Sequence, residues 1–278
     1  MINYNFGTKV LRAIFLFNFI LAIYYKVLAN NDPKVQIIRN PIIVIDPGHG
    51  GHDHGACGRN TFEKDLNLKF ALRLKAMSYY DLPDAQVILT RESDETLNLS
   101  ERTNIANANK ADLFISIHCN SNTNGQIRGA ETYVMGLQKA NENLMVTARE
   151  NFSGVEKDNN SSKDQILMTE ENLIFLNQIQ SQFQERSIEF AKFCQSNLSL
   201  VHPGGSRNLR QAGFLVLWQA TMPSVLLELG YINNPKDEDF MGKEEGQIVL
   251  ANSIVKAIKT YFDKRSSEIT TSSIPYNR

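Results

Sequence analysis

Short apolar runs alternate with longer amphipathic stretches along most of the chain. The runs are rich in β-branched residues and end at turn or polar residues, which is typical of buried strands. The predicted strands are 43–45, 86–90, 112–117, 130–135, 214–217 and 224–229, and the predicted helices are 63–80, 97–110, 173–198 and 244–262. Strands alternating with helices predict an α/β fold: a single domain at 41–263 with a central, mostly parallel, twisted sheet of about six strands flanked by helices.

One part of the chain departs from this alternation. From residue 141 to 172 the sequence is polar, with EKDNNSSKD at its centre, and the long helix 173–198 follows. We interpret 141–198 as a helical insertion into the domain. The Ser- and Thr-rich tail at 264–278 lacks apolar periodicity, and we predict that it is disordered.

The N-terminal segment has the character of an export signal. It contains no acidic residue before Asp32, and residues 13–25 are almost wholly apolar after a basic start. We predict a signal peptide at 1–29, cleaved before Asn30, and a polar lead-in at 30–40. Lys26, between the apolar run and the cleavage site, leaves an uncleaved anchor as the alternative, although about thirteen apolar residues are few for a bilayer.

The composition argues against some classes of function and of structure. The 278 residues are 42% hydrophobic, which is enough for a sizeable core, and 29 basic residues balance 30 acidic ones. This balance argues against a nucleic-acid partner, because phosphate binding normally shows as a clearly basic face. The three cysteines, at 57, 119 and 194, are too few and too widely spaced for a disulfide framework. We expect free thiols, with a single bridge as the alternative.

Metal-capable side chains stand where the predicted strands end. His49 follows the first strand, His118 follows 112–117, Glu228 ends 224–229, and Glu63 opens the first helix. Functional groups of open α/β sheets collect at the carboxyl ends of the strands. Two imidazoles and one carboxylate are a common catalytic zinc set that leaves a position open for water. The residues therefore predict a zinc centre, without deciding which glutamate is a ligand.

The other histidines and the aspartates near these motifs are weaker candidates for direct metal binding. We interpret His52, His54 and His202 as bystanders on loops. Asp46 and Asp53 are candidates to accept the second N–H of a ligand histidine, because such ligands usually donate it to a carboxylate or carbonyl. The glycines of IVIDPGHGGHDHG suit a loop that folds tightly around an ion.

Eight motifs in order give the chain a resemblance to a known family. They are IVIDPGHGG, FEKDLNL, VILTR, LSERTNIAN, ADLFISIHCN, RGAETYVMG, QAGFLVL and MPSVLLELGYINNP. In these motifs, over roughly 41–262 apart from the insertion, the sequence resembles the zinc-dependent N-acetylmuramoyl-L-alanine amidases of the type 3 class, which includes bacterial cell-division amidases. Members commonly have proline in place of His54 and alanine in place of Cys119; neither is a ligand position.

The resemblance implies an activity, a cofactor and a site. It implies hydrolysis of the amide between N-acetylmuramic acid and L-alanine in peptidoglycan, for cell-wall remodelling or daughter-cell separation, in the periplasm or another extracytoplasmic space. By the resemblance, His49, Glu63 and His118 are Zn²⁺ ligands and Glu228 is the catalytic glutamate. The alternatives are a zinc peptidase that cuts within the stem peptide and an inactive wall-binding protein.

The insertion carries one further expectation from the resemblance. Some division amidases of this class have a helix here that covers the zinc until an activator protein removes it. Glu150, in ARENFSGV, is the predicted inhibitory zinc ligand, with Glu156, Glu170 and Glu171 as alternatives. In that case 141–198 would be the docking face for an activator. The competing interpretation is a packing helix with a loop. We expect a monomer.

Overall fold

The computed structural model describes residues 39–136, 146, 147, 149–151 and 170–272, and within the last range it describes side chains over 181–268. Asn40–Glu268 forms one compact unit. A second unit groups Met1–Arg39 with Ile269–Arg278, of which only Arg39 and the helical backbone of 269–272 are described. The predicted signal peptide at 1–29 and most of the lead-in at 30–40 lie outside the described residues.

Strands and helices alternate through the larger unit. In chain order the elements are β1 (Ile42–Pro47), α1 (Glu63–Asp81), β2 (Gln86–Leu89), α2 (Leu99–Ala108), β3 (Leu113–Asn120), β4 (Ala130–Met135), α3 (Glu170–Val201), β5 (Ser206–Ala212), α4 (Leu215–Trp218), β6 (Ser224–Tyr231), α5 (Pro235–Gly242) and α6 (Glu244–Ser272). The six strands form one sheet in the order β2-β1-β3-β6-β4-β5. The predicted α/β fold is confirmed.

The sheet is parallel except where β4 meets β6. β1 pairs in parallel with β2 and β3, β3 with β6, and β4 with β5, whereas β4 runs antiparallel to β6. His118 on β3 is the direct register partner of Glu228 on β6. Because register partners point to the same face of a sheet, the pairing of these two central strands brings both side chains together.

Each face of the sheet has its own apolar core. One face is covered by Phe70 of α1, Phe190 of α3 and Ile254 of α6. On the opposite face, Phe114 of β3 packs in a cluster with Leu217 of α4. With helices on both sides the strands are buried, which explains why they read as nearly continuous apolar runs.

Two predictions from the sequence are wrong. Residues 214–217 were predicted as a strand, but Leu215–Trp218 is a short helix and the strand is Ser206–Ala212. A four-residue apolar run does not distinguish a strand from a buried helical turn, and β5 is a polar edge strand without an apolar run. The predicted disordered tail at 264–278 is corrected only over 264–272, where α6 continues to Ser272; residues 273–278 lie outside the described residues.

The long helix of the insertion is found as α3. Its second half contributes Phe190, Ala191, Cys194 and Leu198 to the core. Gln184 Nε2 also donates to the carbonyl of Met135, 2.8 Å away on β4. The part of 141–198 beyond Gln184 is therefore built into the domain. None of the helices in the described ranges is both long and apolar enough to cross a membrane.

Candidate metal centre

The predicted site residues meet at the carboxyl ends of β1, β3 and β6. His49 comes from the loop after β1, His118 from β3, and Glu63 from the first position of α1. Glu150 reaches the same point from the helical backbone at 149–151. One ligand atom of each of these four buried residues lies within 4.8 Å of the others, which is a group that could hold a metal ion.

Both histidines face the same pair of carboxylates. His49 Nε2 lies 3.2 Å from Glu63 Oε2 and 3.1 Å from Glu150 Oε2. His118 Nδ1 lies 3.1 Å from Glu63 Oε1 and 3.0 Å from Glu150 Oε2. The two rings stand edge to face with centroids 4.9 Å apart. The four side chains therefore converge on one point rather than forming separate ion pairs.

Glycine is needed where the loop touches His49, Glu63 and His118. A Cβ on Gly48 would lie 2.3 Å from Cε1 and Nε2 of His118, so only glycine lets that ring pack on the loop. Gly55 has φ +65°, and a Cβ there would lie 2.6 Å from Cδ2 of His49 and 2.7 Å from Oε2 of Glu63. These close approaches, rather than flexibility, explain the glycines of the motif.

Two buried arginines hold the loop in place. Arg102 on α2 donates to Asp46 Oδ1 and to the carbonyls of Pro47 and His49, each at 2.8 Å. Arg91 donates to the carbonyls of Pro47 and Gly48 at 2.9 Å. The sequence reasoning missed both roles. The arginines of VILTR and LSERTNIAN were the available signal, but no local pattern shows which carbonyls they reach.

Asp46 and Asp53 have different partners. Asp53 Oδ2 lies 2.8 Å from His49 Nδ1 and so accepts the second N–H of that ring. Of the two aspartates considered for this role from the sequence, Asp53 is the one that fills it. Asp46 instead accepts from Thr90 Oγ1 at 2.6 Å, Arg102, and Ser116 Oγ at 2.8 Å. Asp46 therefore supports the loop rather than a ligand ring.

Two backbone amides hold the Glu63 carboxylate in place, and two histidines keep it charged. Its Oε2 accepts from the amide of Ala56 at 2.8 Å and its Oε1 from the amide of Cys119 at 2.9 Å. Burial alone would raise the pKa of Glu63, but the nearby His49 and His118 outweigh it and hold that pKa far below its ordinary value. Glu63 is therefore a carboxylate anion at neutral pH.

Glu228 lies beside this group in a different environment. It is fully buried, and neither carboxylate oxygen has a hydrogen-bond partner among the described residues. Burial, together with the neighbouring Glu150 carboxylate, raises the pKa of Glu228 well above its ordinary value. A carboxyl whose pKa is raised in this way is suited to take up and release a proton.

The contacts of Glu150 are completed by Arg149. The Arg149 guanidinium lies 2.5 Å from Glu150 Oε1 and 3.8 Å from Glu228 Oε1. It also donates to the carbonyl of Ser121 at 3.0 Å. Asn151 accepts from the amide of Leu215 at 2.8 Å, so both ends of this short segment are tied to the domain. Glu156 lies outside the described residues, as do the side chains of Glu170 and Glu171.

The remaining histidines and thiols stay outside this group. His52 is exposed, and the His54 ring contacts Phe62. His202 is buried and accepts from the Gly204 amide at 2.9 Å, so it is part of a packed turn rather than a rim residue. All three cysteines are free; Cys57 is exposed, and Cys119 and Cys194 are buried.

The donor set fits a zinc-type ion. Nε2 of His49 is buried, has no hydrogen-bond partner among the residues that the structure describes, and points at the shared carboxylates. Its other nitrogen is oriented by Asp53, as is usual for ligand imidazoles. Two imidazoles and the anionic Glu63 leave a fourth position, which Glu150 faces.

Comparison with known proteins shows the family of this chain. Residues 43–260 match the family model described as N-acetylmuramoyl-L-alanine amidase. The chain is 32% identical over 225 residues to the N-acetylmuramoyl-L-alanine amidase AmiA of Escherichia coli (strain K12), covering 80% of this chain and 76% of that protein.

Solved structures agree with the family match. The catalytic domain of CwlV, an N-acetylmuramoyl-L-alanine amidase from Bacillus (Paenibacillus) polymyxa, is similar with a TM-score of 0.58 and 29% identity, over 80% of this chain and 98% of that one. The CwlD amidase of Clostridioides difficile, solved in complex with the GerS lipoprotein, has a TM-score of 0.60 and 25% identity, over 81% and 99%.

Proposed function

Because the chain belongs to the type 3 N-acetylmuramoyl-L-alanine amidase family and is therefore a peptidoglycan amidase of cell-wall remodelling, we propose that its activity depends on zinc. His49, Glu63 and His118 are the ligands in this proposal, and Glu228 is the catalytic glutamate. The observation that carries it is the convergence of two imidazoles and an anionic carboxylate, with Glu228 as the register partner of His118.

A zinc ion bound there would polarise the scissile carbonyl and acidify water. The chain's own residues orient the His49 ring and transfer the proton. Asp53 fixes the tautomer and the direction of the His49 ring. Glu228 accepts a proton from the attacking water and passes it to the leaving amide nitrogen, which departs as the amine of L-alanine. The buried setting of Glu228 favours this exchange, since neither form of the carboxyl is held by a hydrogen bond among the described residues.

Product analysis tests the bond that is cut. Purified wall treated with Glu150→Ala protein, which lacks the proposed inhibitory carboxylate, should release intact stem peptides and leave glycan strands with unsubstituted N-acetylmuramic acid, as seen by mass spectrometry. Chelation should abolish this release and zinc should restore it. Shortened stems still attached to glycan would show a zinc peptidase instead. An unchanged wall from a protein freed of its inhibitory carboxylate would favour an inactive wall-binding protein.

We further propose that Glu150 is an inhibitory ligand. Its Oε2 lies within 3.1 Å of both ligand histidines and therefore takes the place that the reacting water needs. Arg149 supports this arrangement, because it pairs with Glu150 while donating to the end of β3. A wall hydrolase held in this way stays inactive until the segment moves.

Substitution of Glu150 is the direct test. Glu150→Ala should raise activity on wall fragments by about tenfold or more with the zinc content unchanged, since one charged contact to the site is worth at least that factor. Deletion of roughly 141–184 should raise activity as well, while the part of α3 that packs in the core remains. An intact protein already as fast as a folded Glu150→Ala protein would overturn the inhibitory role.

Activation and export complete the proposal. The insertion at 141–198 is the proposed docking face for an activator protein, in keeping with the lipoprotein complex of the similar CwlD amidase. Daughter-cell separation is the proposed setting, and a monomer is the proposed state.

Export through the signal at 1–29 would put the enzyme at its substrate. N-terminal sequencing of the exported protein should read Asn30 first; Met1 on membrane-bound material would favour the anchor.

A further inference from the structure

The proposed zinc ligand His49 has a strained backbone. Its φ is +59°, in the left-handed region that residues other than glycine seldom adopt, and Gly50 and Gly51 continue with φ +131° and +59°. Strained residues persist only where the surrounding structure holds them in place. The contacts around positions 49–53 therefore decide whether the His49 ring stays aimed at the metal centre.

Residues 50–53 form a tight turn next to this ligand. The amide of Gly50 donates to the carbonyl of Asp53 at 2.9 Å, and the amide of Asp53 donates back to the carbonyl of Gly50 at 3.1 Å. The Asp53 carboxylate also accepts the second N–H of the His49 ring. A displacement of the turn would therefore move the backbone of His49 and the acceptor of its ring together.

The loop after β2 contacts this turn through two side chains, Asp94 and Thr96, which we call the clasp. Asp94 Oδ1 accepts from the amide of Gly51 at 2.7 Å. Thr96 Oγ1 accepts from the amide of His52 at 3.1 Å and donates to the carbonyl of Gly50 at 3.2 Å. A Cβ on Gly51 would collide with Thr96 Oγ1, so the loop and the turn are in direct contact. The clasp thus binds three successive residues of the turn.

Lys64 joins the clasp to the start of α1. Its Nζ donates to Asp94 Oδ2 at 2.7 Å and to the carbonyl of Gly51 at 2.9 Å. Because Lys64 directly follows Glu63, the same polar contacts connect the turn beside His49 with the helix that supplies Glu63. The Asp94 side chain is 51% exposed, so its ion pair with Lys64 contributes little to the stability of the whole domain.

We propose that Asp94 and Thr96 are positioning residues for His49, a role that rests on the proposed zinc chemistry. The clasp acts on the metal centre through the backbone of the turn. Without the clasp the strained turn relaxes, and only the fraction of molecules that keeps the ligand conformation binds metal. The apparent affinity falls by that fraction, so a turn that is correctly placed about one tenth of the time binds about tenfold more weakly.

The zinc affinity of the full-length protein tests the clasp. In a chelator competition, Asp94→Ala and Thr96→Val should each bind zinc about tenfold more weakly than the parent, because each loses hydrogen bonds that hold the turn. Thr96→Ser keeps the hydroxyl and should restore the affinity to within about twofold of the parent. Glu95→Ala is the matched control, since the Glu95 carboxylate accepts from Ser93 within its own loop, and it should also keep the parent affinity.

Hydrogen exchange tests the clasp without metal and without a variant. In the metal-free parent protein, the amides of Gly51 and His52 should exchange at least about tenfold more slowly than in an unfolded chain, because the clasp accepts from both. Exchange at the unfolded rate would show that the clasp does not hold the turn and would overturn the proposal, whether or not any variant folds.

The two measurements separate positioning from general stability and from the zinc proposal. If Asp94→Ala and Thr96→Val lowered the urea midpoint but bound zinc within about twofold of the parent, the clasp would have only a structural role and the proposal would be overturned. A parent protein that bound no zinc would count against the zinc proposal instead. The exchange of the Gly51 and His52 amides would still decide whether the clasp holds the turn.

Discussion

Replacing Asp46 with alanine should destabilise the domain severely. Asp46 is fully buried and accepts three side-chain hydrogen bonds, from Thr90, Arg102 and Ser116. Removal of the carboxylate leaves the charge of Arg102, itself buried, without its partner. Breaking a buried ion pair from one side costs about 3–5 kcal/mol, and the hydrogen bonds are part of that figure rather than additional to it.

Urea unfolding followed by far-UV circular dichroism measures this loss. With chelator present, so that metal binding does not contribute, Asp46→Ala should lower the midpoint by about 2 M at an ordinary urea dependence. Asp84→Ala, an exposed aspartate outside the network, should stay within about 0.5 kcal/mol of the parent protein. A loss below about 1 kcal/mol for Asp46→Ala would refute the assignment of Asp46 as the anchor of Arg102.

The pH dependence separates charge from packing. Burial alone would raise the pKa of Asp46, but Arg102 and the two hydroxyl donors outweigh it and hold that pKa below its ordinary value. A lowered folded-state pKa means that the stabilisation is complete above the unfolded pKa of about 3.9 and is lost as the pH falls toward the folded value. The gap between the parent and Asp46→Ala should therefore be smaller at pH 3 than at pH 7. A constant gap would show that the charge contributes nothing.

Three further substitutions probe the metal centre. In a Glu150→Ala parent, Glu228→Ala should keep the zinc content while turnover falls by about 10²-fold or more, and activity within threefold of that parent would contradict its role. Asp53→Asn should weaken zinc binding about 10–100-fold in a chelator competition, because the His49 ring loses its acceptor; unchanged affinity would count against that orientation. Gly48→Ala should displace the His118 ring and lower the zinc stoichiometry while the far-UV spectrum stays native, and full zinc content would show that the loop yields instead.

The strands with a clear apolar pattern could be predicted from the sequence. The polar contacts between residues far apart in the chain could not. β1, β3 and β6 are buried apolar runs, so their ends, and with them His49, His118 and Glu228, could be located residue by residue. β5 could not, because an edge strand with alternating polar residues carries little apolar signal. The hydrogen bonds of Arg102 to the loop join residues more than fifty positions apart, and only the folded chain shows which carbonyls they meet.

The two backbone hydrogen bonds to Glu63 separate folding from metal supply. One oxygen is tied to the loop through Ala56 and the other to β3 through Cys119, so protein groups alone join the two halves of the ligand set. In zinc fingers the ion organises the chain, and removing it unfolds the domain. These bonds join protein groups only, so we expect the cradle to form before the ion binds. An amidase with such a cradle could fold where metal is scarce and become competent when metal arrives, so that its activity would follow the metal content of its surroundings.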